Sequence, residues 1–270
     1  MKLAFMGGGV MAEAFVKGIL GRGLALPSDI AVSDIDRARR AYLSKEYRVS
    51  ALGDNLEAAS SAEAIVLAVK PQSLAEVMAD LNGRLKREQM VISIVAGATL
   101  STLTVGLGHS VVVRTMPNTP GQIGQGVTVW TATEAVSVEQ KEITRRLLSV
   151  LGVEFYAEKE DYLNIATALS GSGPAYVFMI LEALIEGAVY LGLPWAMARE
   201  MAIQTVAGSA LLAQASGKSL AELRNQVTSP GGTTAEGLLK LEEGGVRAIL
   251  AQAVIAAYEK AKLLGSADNK

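Results

Sequence analysis

The sequence predicts an α/β fold: a doubly wound parallel sheet at the N-terminus, followed by an all-α domain. Three observations carry that prediction. A short apolar run, Leu3 to Met6, passes at once into Gly7-Gly8-Gly9-Val10-Met11-Ala12. Strand-length apolar runs then alternate with helix-period segments, and from Asp161 onward the β pattern vanishes. The boundary is drawn between residues 158 and 159, dividing the chain into domains 1–158 and 159–270.

The first strand and its glycines match G-x-G-x-x-A. Gly7 serves the tight turn, Gly9 lets a pyrophosphate approach the backbone, and Ala12 is small enough for helix to pack on strand. The helix that follows has apolar residues at Val10, Ala14, Val16, Ile19 and Leu20 and stops near Gly21 and Gly23. Strand, glycine turn and helix in that order read as a Rossmann-type dinucleotide site. The second strand, Ile30 to Val32, runs into Ser33-Asp34-Ile35-Asp36-Arg37, where such folds meet the adenosine ribose. Asp34 would accept hydrogen bonds from a ribose diol and favour NAD, whereas Ser33 with Arg37, Arg39 or Arg40 would hold a 2′-phosphate. Both readings stand on the residues alone, and the arginines also suit a solvated helix face.

Ala64 to Val69 is an unbroken apolar run, as a strand buried on both faces requires, and it ends in Lys70-Pro71-Gln72. Ser73 with Glu76 is expected to cap the next helix, and Val91 to Val95 and Val111 to Arg114 supply further strands. Ligands of doubly wound sheets bind beyond the carboxyl ends of the strands. Asn55, Ala68, Val69, Lys70, Pro71, Ala96-Gly97 and Met116-Pro117-Asn118-Thr119-Pro120 are placed there. Lys70 reads as a charge at a strand end facing solvent or phosphate. Val127 to Trp130, a helix opened by Ser137 and Gln140, and Glu154-Phe155-Tyr156 complete the domain.

The helical half is broken by Ser170-Gly171-Ser172-Gly173-Pro174, Gly192-Leu193-Pro194, Ser216-Gly217 and Gly244-Gly245. Pro174 to Leu191 has the look of a membrane span, but Glu182 and Glu186 lie on it, each costing on the order of 2.5 kcal/mol at a bilayer centre. It also lacks basic flanks, so no insertion is expected. A helix apolar nearly all round must still be buried, as must the broad apolar face of Val246 to Leu264, and a homodimer through the helical domain follows. Val227-Thr228-Ser229-Pro230-Gly231-Gly232-Thr233-Thr234-Ala235-Glu236 reads as a tight turn feeding a helix, with Thr233 and Glu236 spaced as a capping box. A helix start aims unpaired N–H groups and partial positive charge at what lies before it, which makes a carboxylate site.

Composition narrows the chemistry. Half of the 270 residues are hydrophobic and only 5% aromatic, so Ala, Leu, Val and Gly build the core. The net charge of −2, with no basic block, gives no reason to expect nucleic acid or an anionic membrane. Without cysteine there is no disulfide, thiolate catalysis or thiolate metal site. The single histidine, His109, sits in a turn, so no histidine-ligated metal centre is expected. Met1 to Met6 is too short to be a signal peptide, and a reducing cytoplasm fits.

Three stretches together, Gly7 to Ala12, Arg114-Thr115-Met116-Pro117-Asn118-Thr119-Pro120, and Ala168 to Tyr176 followed by Gln226 to Thr234, strongly resemble the pyrroline-5-carboxylate reductases. The resemblance covers the whole chain in order, and S-G-S-G-P-A-Y with V-T-S-P-G-G-T-T is far more specific than the glycine motif. It implies NAD(P)H-dependent reduction of the ring C=N of 1-pyrroline-5-carboxylate to proline, in the cytoplasm, by dimers that often assemble into decamers. It further implies Thr234 as partner of the ring nitrogen, with Ser229, Gly231, Gly232 and Thr233 at the substrate carboxylate. Glu160 matches a position near the substrate of the partner subunit, and Gln226 one near the nicotinamide ribose. Met6, Gly7, Gly8, Gly9, Val10 and Met11 fall at the pyrophosphate, Ser33 with Asp34 at the adenosine side, and Asn55, Ala68, Val69, Lys70 and Pro71 along the remainder. Some relatives carry proline or arginine where this chain has Ile35, so one phosphate contact is missing; NADPH is still the cofactor the resemblance favours, with NADH possible. A cyclic imine is partly protonated in neutral water, so the reaction needs orientation more than a strong side-chain acid. Another reductase on the same two-domain plan, acting on a related imine or hydroxy acid, is the alternative; β-hydroxyacid dehydrogenases rely on a lysine in the first long helix of the second domain, and Pro174 to Leu191 has none.

Overall fold

A computed structural model of the chain describes residues 1–267. Two compact units result: Met1–Ser172 together with the segment from Ala257 onward, and Gly173–Ala256. The expected boundary at 158/159 marks where strands give way to helices, but the contacts keep the next dozen or so residues with the sheet.

The first unit is built on eight strands. In chain order they are β1 (Leu3–Met6), β2 (Ile30–Ser33), β3 (Ser50–Leu52), β4 (Ala64–Leu67), β5 (Met90–Ser93), β6 (Val112–Met116), β7 (Gly126–Ala132) and β8 (Gly152–Tyr156). They lie in the order β3-β2-β1-β4-β5-β6-β7-β8, so direction of travel across the sheet reverses at β1. All pairings are parallel except β6 with β7, where Met116 faces Val129 and Val113 faces Ala132. The sheet is thus mixed rather than wholly parallel. A single short connection from β6 back along its flank forces that antiparallel pair.

Helices α1 (Val10–Gly21), α2 (Arg37–Tyr47), α3 (Asn55–Ala59), α4 (Pro71–Leu81), α5 (Leu100–Leu107) and α6 (Val138–Ser149) cover the sheet. β1, β4 and β5 are buried at every position, which explains their continuous apolar sequence. Alternate residues feed two cores. Leu3, Phe5, Val66 and Ile92 pack with Phe15 and Ile19 of α1. Ala4, Met6, Ile65 and Leu67 pack with Leu74 and Leu81 of α4 and Leu103 of α5. Ser137 and Gln140 form the expected reciprocal cap on α6. The expected cap of Ser73 on Glu76 does not form: α4 starts at Pro71, a residue suited to a first helical turn, and Ser73 already donates its amide to the Lys70 carbonyl.

α1 and α2 are tied by one carboxylate. Glu13 on α1 accepts from the Tyr42 hydroxyl at 2.9 Å, the Tyr47 hydroxyl at 2.7 Å and Arg39 Nη2, all on α2. Burial alone would raise the Glu13 carboxyl, but the bonds from Arg39, Tyr47 and Tyr42 outweigh it and hold the group below its ordinary value. The same contact, after burial, pushes the Tyr47 phenol up.

After β8 the chain enters α7 (Tyr162–Ala166), passes through a π turn over Thr167–Gly171, and continues as α8 (Gly173–Tyr190). The helix break expected at Ser170 to Pro174 is therefore replaced by a widened turn, in which Ser172 N donates to Thr167 O five residues back, at 2.8 Å. Pro174, the second residue of α8, has no N–H to give the Ser170 carbonyl four residues back, and that carbonyl accepts from Asn118 Nδ2 instead, at 3.0 Å. The run Tyr162–Tyr190 is long and apolar enough to cross a membrane by length and composition. α9 (Trp195–Ser216), α10 (Leu220–Gln226), α11 (Thr233–Glu243) and α12 (Val246–Ala267) follow. Within 173–256 only Ala198 and Ala202 are buried, while Phe178, Leu211 and Ile255 are each about 60% exposed. The C-terminal part of α12 belongs to the first unit, where Tyr258 donates to Asp161 at 3.0 Å.

Ile65→Ala, at a fully buried site, is expected to lower unfolding free energy by about 2–5 kcal/mol in urea titration. Because the folded carboxyl of Glu13 is depressed, its contribution is present above the ordinary carboxylate range and lost as pH falls through the folded value. Glu13→Gln is therefore expected to flatten the acid limb of a stability–pH curve measured between pH 6 and about pH 3.

Candidate active site

β1 lies between β2 and β4, so the carboxyl end of β1 opens at the reversal point of the sheet. Gly7 leaves it with φ +93, and a Cβ there would sit 2.8 Å from the Ala68 carbonyl oxygen. Only glycine permits both the dihedral and the approach. Gly7 N donates to Ser33 O and Gly8 N to Asp34 Oδ2, each at 2.8 Å. Gly9 then caps α1 with no side chain engaged. Among the described residues the amides of Gly9, Val10 and Met11 have no protein acceptor, and a Cβ at Gly9 would meet nothing within 4 Å. Unpaired N–H groups at the start of a twelve-residue helix, beside open space, fit a diphosphate. Met6 is buried beneath the turn, and Met11 is half-buried.

On the adenosine side the expected residues divide. Ser33 is buried, and its hydroxyl lies 2.6 Å from Asn55 Oδ1 and 3.4 Å from Phe5 O, so it braces the turn from below. Asn55 opens α3 and donates to Asp80 at 2.8 Å. Asp34 is half-buried, with Oδ2 on Gly8 N and Oδ1 accepting from Asp36 N at 2.8 Å. Arg39 reaches the same turn, donating from Nε to Gly8 O and from Nη2 to Gly9 O at 3.4 Å. Arg40 binds the carbonyls of Asp34 and Ile35 at 2.6 and 3.0 Å. Arg37 is the exposed first residue of α2, and Ile35 is 97% exposed.

At the end of β4, Ala68 and Val69 are half-buried, Lys70 is exposed at the cap of α4, and Pro71 opens that helix. Beyond β5, Ala96-Gly97 lies against the last described turns of α12, with Leu264 3.5 Å from where a Gly97 Cβ would stand. Arg114 of β6 is buried and donates to Glu160 Oε1 at 2.7 Å and Asn164 Oδ1 at 3.0 Å. Glu160 Oε1 also accepts from Leu100 N, at the start of α5, at 2.7 Å. Glu160 is thus held in place by an arginine and a helix start. Asn118, beyond β6, donates to Ser170 O at 3.0 Å and accepts from Val127 N at 2.8 Å, joining the M-P-N-T-P stretch to the π turn. Asn118 is legible in the sequence as a strand-end residue but its bridge is not, and no motif marks Glu13. Carboxylate and amide contacts this far apart in sequence leave no local spacing to read.

In the second unit, Gln226 is the exposed last residue of α10. Gly231 has φ +67, and Gly232 N donates to Ser229 O at 3.0 Å. A Cβ at Gly232 would press on the Ser229 hydroxyl and stand 3.1 Å from the Ser229 carbonyl oxygen, so a side chain there would force Ser229 to turn away. The expected Thr233–Glu236 capping box is absent. Gly232 is the cap, and Thr233 and Thr234 are the first two helical residues of α11. Glu236 N goes to Gly232 O, which leaves no role for a threonine cap. The shift strengthens the anion-binding character of the turn: among the described residues the amides of Gly231, Thr233 and Thr234 have no acceptor. A 330 Å³ depression lined by Met1, Glu63, Lys86 and Gln89 lies at the amino ends of β4 and β5 and holds none of the expected site residues.

A family model described as pyrroline-5-carboxylate reductase dimerisation matches residues 160–264, and one described as NADP oxidoreductase coenzyme F420-dependent matches residues 2–97. The pyrroline-5-carboxylate reductase of Synechocystis is 41% identical over 265 residues, 98% of each chain. The solved structure of the Coxiella burnetii enzyme superposes with TM-score 0.91 at 37% identity, covering 97% of this chain and 98% of that one. The Plasmodium falciparum pyrroline carboxylate reductase, solved with NADP bound, gives TM-score 0.89 at 31% identity over 98% of both. A prephenate dehydrogenase from A. aeolicus, 15% identical with TM-score 0.56, shares the fold alone. Relatedness of this extent, spanning both the glycine turn and the S-P-G-G-T-T turn, makes the chain a member of the pyrroline-5-carboxylate reductase family.

Proposed function

We propose that the protein reduces the C=N bond of 1-pyrroline-5-carboxylate to give L-proline, with a reduced nicotinamide dinucleotide as donor. The observation that carries this reading is the turn at Ser229 to Thr234, whose Gly231, Thr233 and Thr234 amides stand unpaired at the start of an eleven-residue helix. These groups suit a small carboxylate, which gains both hydrogen bonds and the favourable end of the helix dipole. The Thr234 hydroxyl is assigned to the ring nitrogen and Ser229 and Gly232 to the shape of the turn. Glu160, held by Arg114, is assigned to the substrate, and Gln226 to the nicotinamide ribose.

A bound nicotinamide would supply a hydride to the imine carbon. Gly7, Gly8, Gly9, Val10 and Met11 would hold its diphosphate, with Met6 beneath. Asp34 and the arginines of α2 would face the adenosine ribose, and Asn55, Ala68, Val69, Lys70 and Pro71 would line the remaining length. Because the imine is protonated in part by water itself, the protein's task is to orient it and exclude competitors. NADPH is the donor supported by the resemblance and by the NADP in the Plasmodium relative.

A homodimer through the helical unit is the assembly proposed, with decamers a further step, and a cytoplasmic location goes with it. Support comes from the exposure of Phe178, Leu211 and Ile255 and from a family model named for dimerisation.

Thr234→Ala is expected to lower kcat on the order of 10²-fold in a nicotinamide-absorbance assay with pyrroline-5-carboxylate, with dinucleotide affinity unchanged. Turnover equal to the parent would remove Thr234 from the reaction. Sedimentation at micromolar concentration is expected to show a dimer or larger, and a monomer would refute the assembly.

A further inference from the structure

The glycine turn is flanked at Gly8 by two side chains of opposite charge. Asp34 Oδ2 accepts from Gly8 N at 2.8 Å, and Arg39 Nε donates to Gly8 O. In a dinucleotide site an acid at this place takes a ribose diol, whereas an arginine near it takes a 2′-phosphate. Here the arginine is not free to choose. Its Nη2 is paired with Glu13 Oε2, its Cζ lies 5.1 Å from the centroid of the Tyr42 ring, and about three-quarters of both charged side chains is buried. Glu13 is itself fixed by Tyr42 and Tyr47. The other arginines do not replace it on equal terms: Arg40 is held by two carbonyls, and Arg37 lies outside the cluster at the exposed start of α2.

We propose that Glu13 is a positioning residue that sets cofactor selectivity, competing with the 2′-phosphate of NADP(H) for the guanidinium of Arg39. The proposal rests on reading the glycine turn as the dinucleotide site. A phosphate at the ribose must either draw Arg39 off Glu13 or share it, with the Asp34 carboxylate opposing the phosphate charge. NAD(H) meets neither demand, because its ribose hydroxyls can donate to Asp34 while Arg39 stays paired. The chain therefore accepts both dinucleotides, and the strength of the Glu13–Arg39 pair decides the ratio between them.

The test is calorimetric binding of NADP⁺ and of NAD⁺ to the full-length protein without imine, so that it stands even where the imine reading fails. Glu13→Gln keeps an acceptor for Tyr42 and Tyr47 but removes the charge competing for Arg39. It is expected to tighten NADP⁺ relative to NAD⁺ by roughly tenfold, the scale of one charge-assisted contact. Arg39→Gln is expected to weaken NADP⁺ relative to NAD⁺ by at least as much. In the reductase assay, Glu13→Gln should lower KM for NADPH while kcat stays within about twofold, a split that general loosening of α2 would not produce. An unchanged affinity ratio in Glu13→Gln, or equal loss of both affinities, overturns the proposal. So does an Arg39→Gln variant that binds NADP⁺ as the parent does. Absence of turnover with pyrroline-5-carboxylate alongside intact binding of both dinucleotides would instead refute the function proposed above and leave the selectivity result to be judged on its own.

Discussion

The sheet unit depends on a crowded turn. Gly7 must leave β1 against the Ala68 backbone, with its amide on Ser33 O and the next amide on Asp34. Those contacts use the carboxyl ends of β1, β2 and β4 at once, so the turn is in place only when three strands are in register. Parallel pairing supplies that register, with Met6 opposite both Ser33 and Leu67. The apolar layers above and below the strands then fix the pairing, since a slip of one residue would turn every core side chain to the wrong layer. The amides of Gly9, Val10 and Met11 stay unpaired for a different reason: they open α1, and no carbonyl precedes them in the helix.

The helical unit follows a different logic. Its helices are regular, and α10 carries a complete reciprocal cap at Ser219 and Glu222, yet the unit contains almost no interior of its own. Burying a leucine or phenylalanine side chain contributes roughly 1.5–3 kcal/mol. Many such side chains are forgone in 173–256 of one chain taken alone. The S-P-G-G-T-T turn, by contrast, is shaped by local chemistry: a positive φ at Gly231 and the close approach of Ser229 to Gly232.

Legibility in the sequence followed the range of the forces involved. Strands buried on both faces announce themselves as continuous apolar runs, and the glycine turn and the Ser137–Gln140 cap are local, so all of these could be read directly. β3 and α3 went unread, because three- and five-residue elements carry too little periodicity. The caps at Ser73 and Thr233 were misplaced for one reason: Pro71 and Gly232 begin their helices before the polar residue is reached. Ser33, placed at the adenosine side by the resemblance, is also a buried brace on Asn55, and Glu13, which no motif marks, is the hub of α2. Both depend on partners more than twenty residues away, beyond any spacing rule.

Asn118 offers its amide in two directions at once, giving N–H to the Ser170 carbonyl and taking one from Val127. Those partners fix which end is oxygen and which nitrogen. Chemical ageing acts on this group in a particular way. Deamidation would replace the NH₂ by a second oxygen and set a negative charge against a carbonyl that has no proton to offer. The bond to Val127 would survive and even shorten, while the widened helical turn would lose its anchor, so a one-dalton change would undo the join between two of the motifs that mark the family.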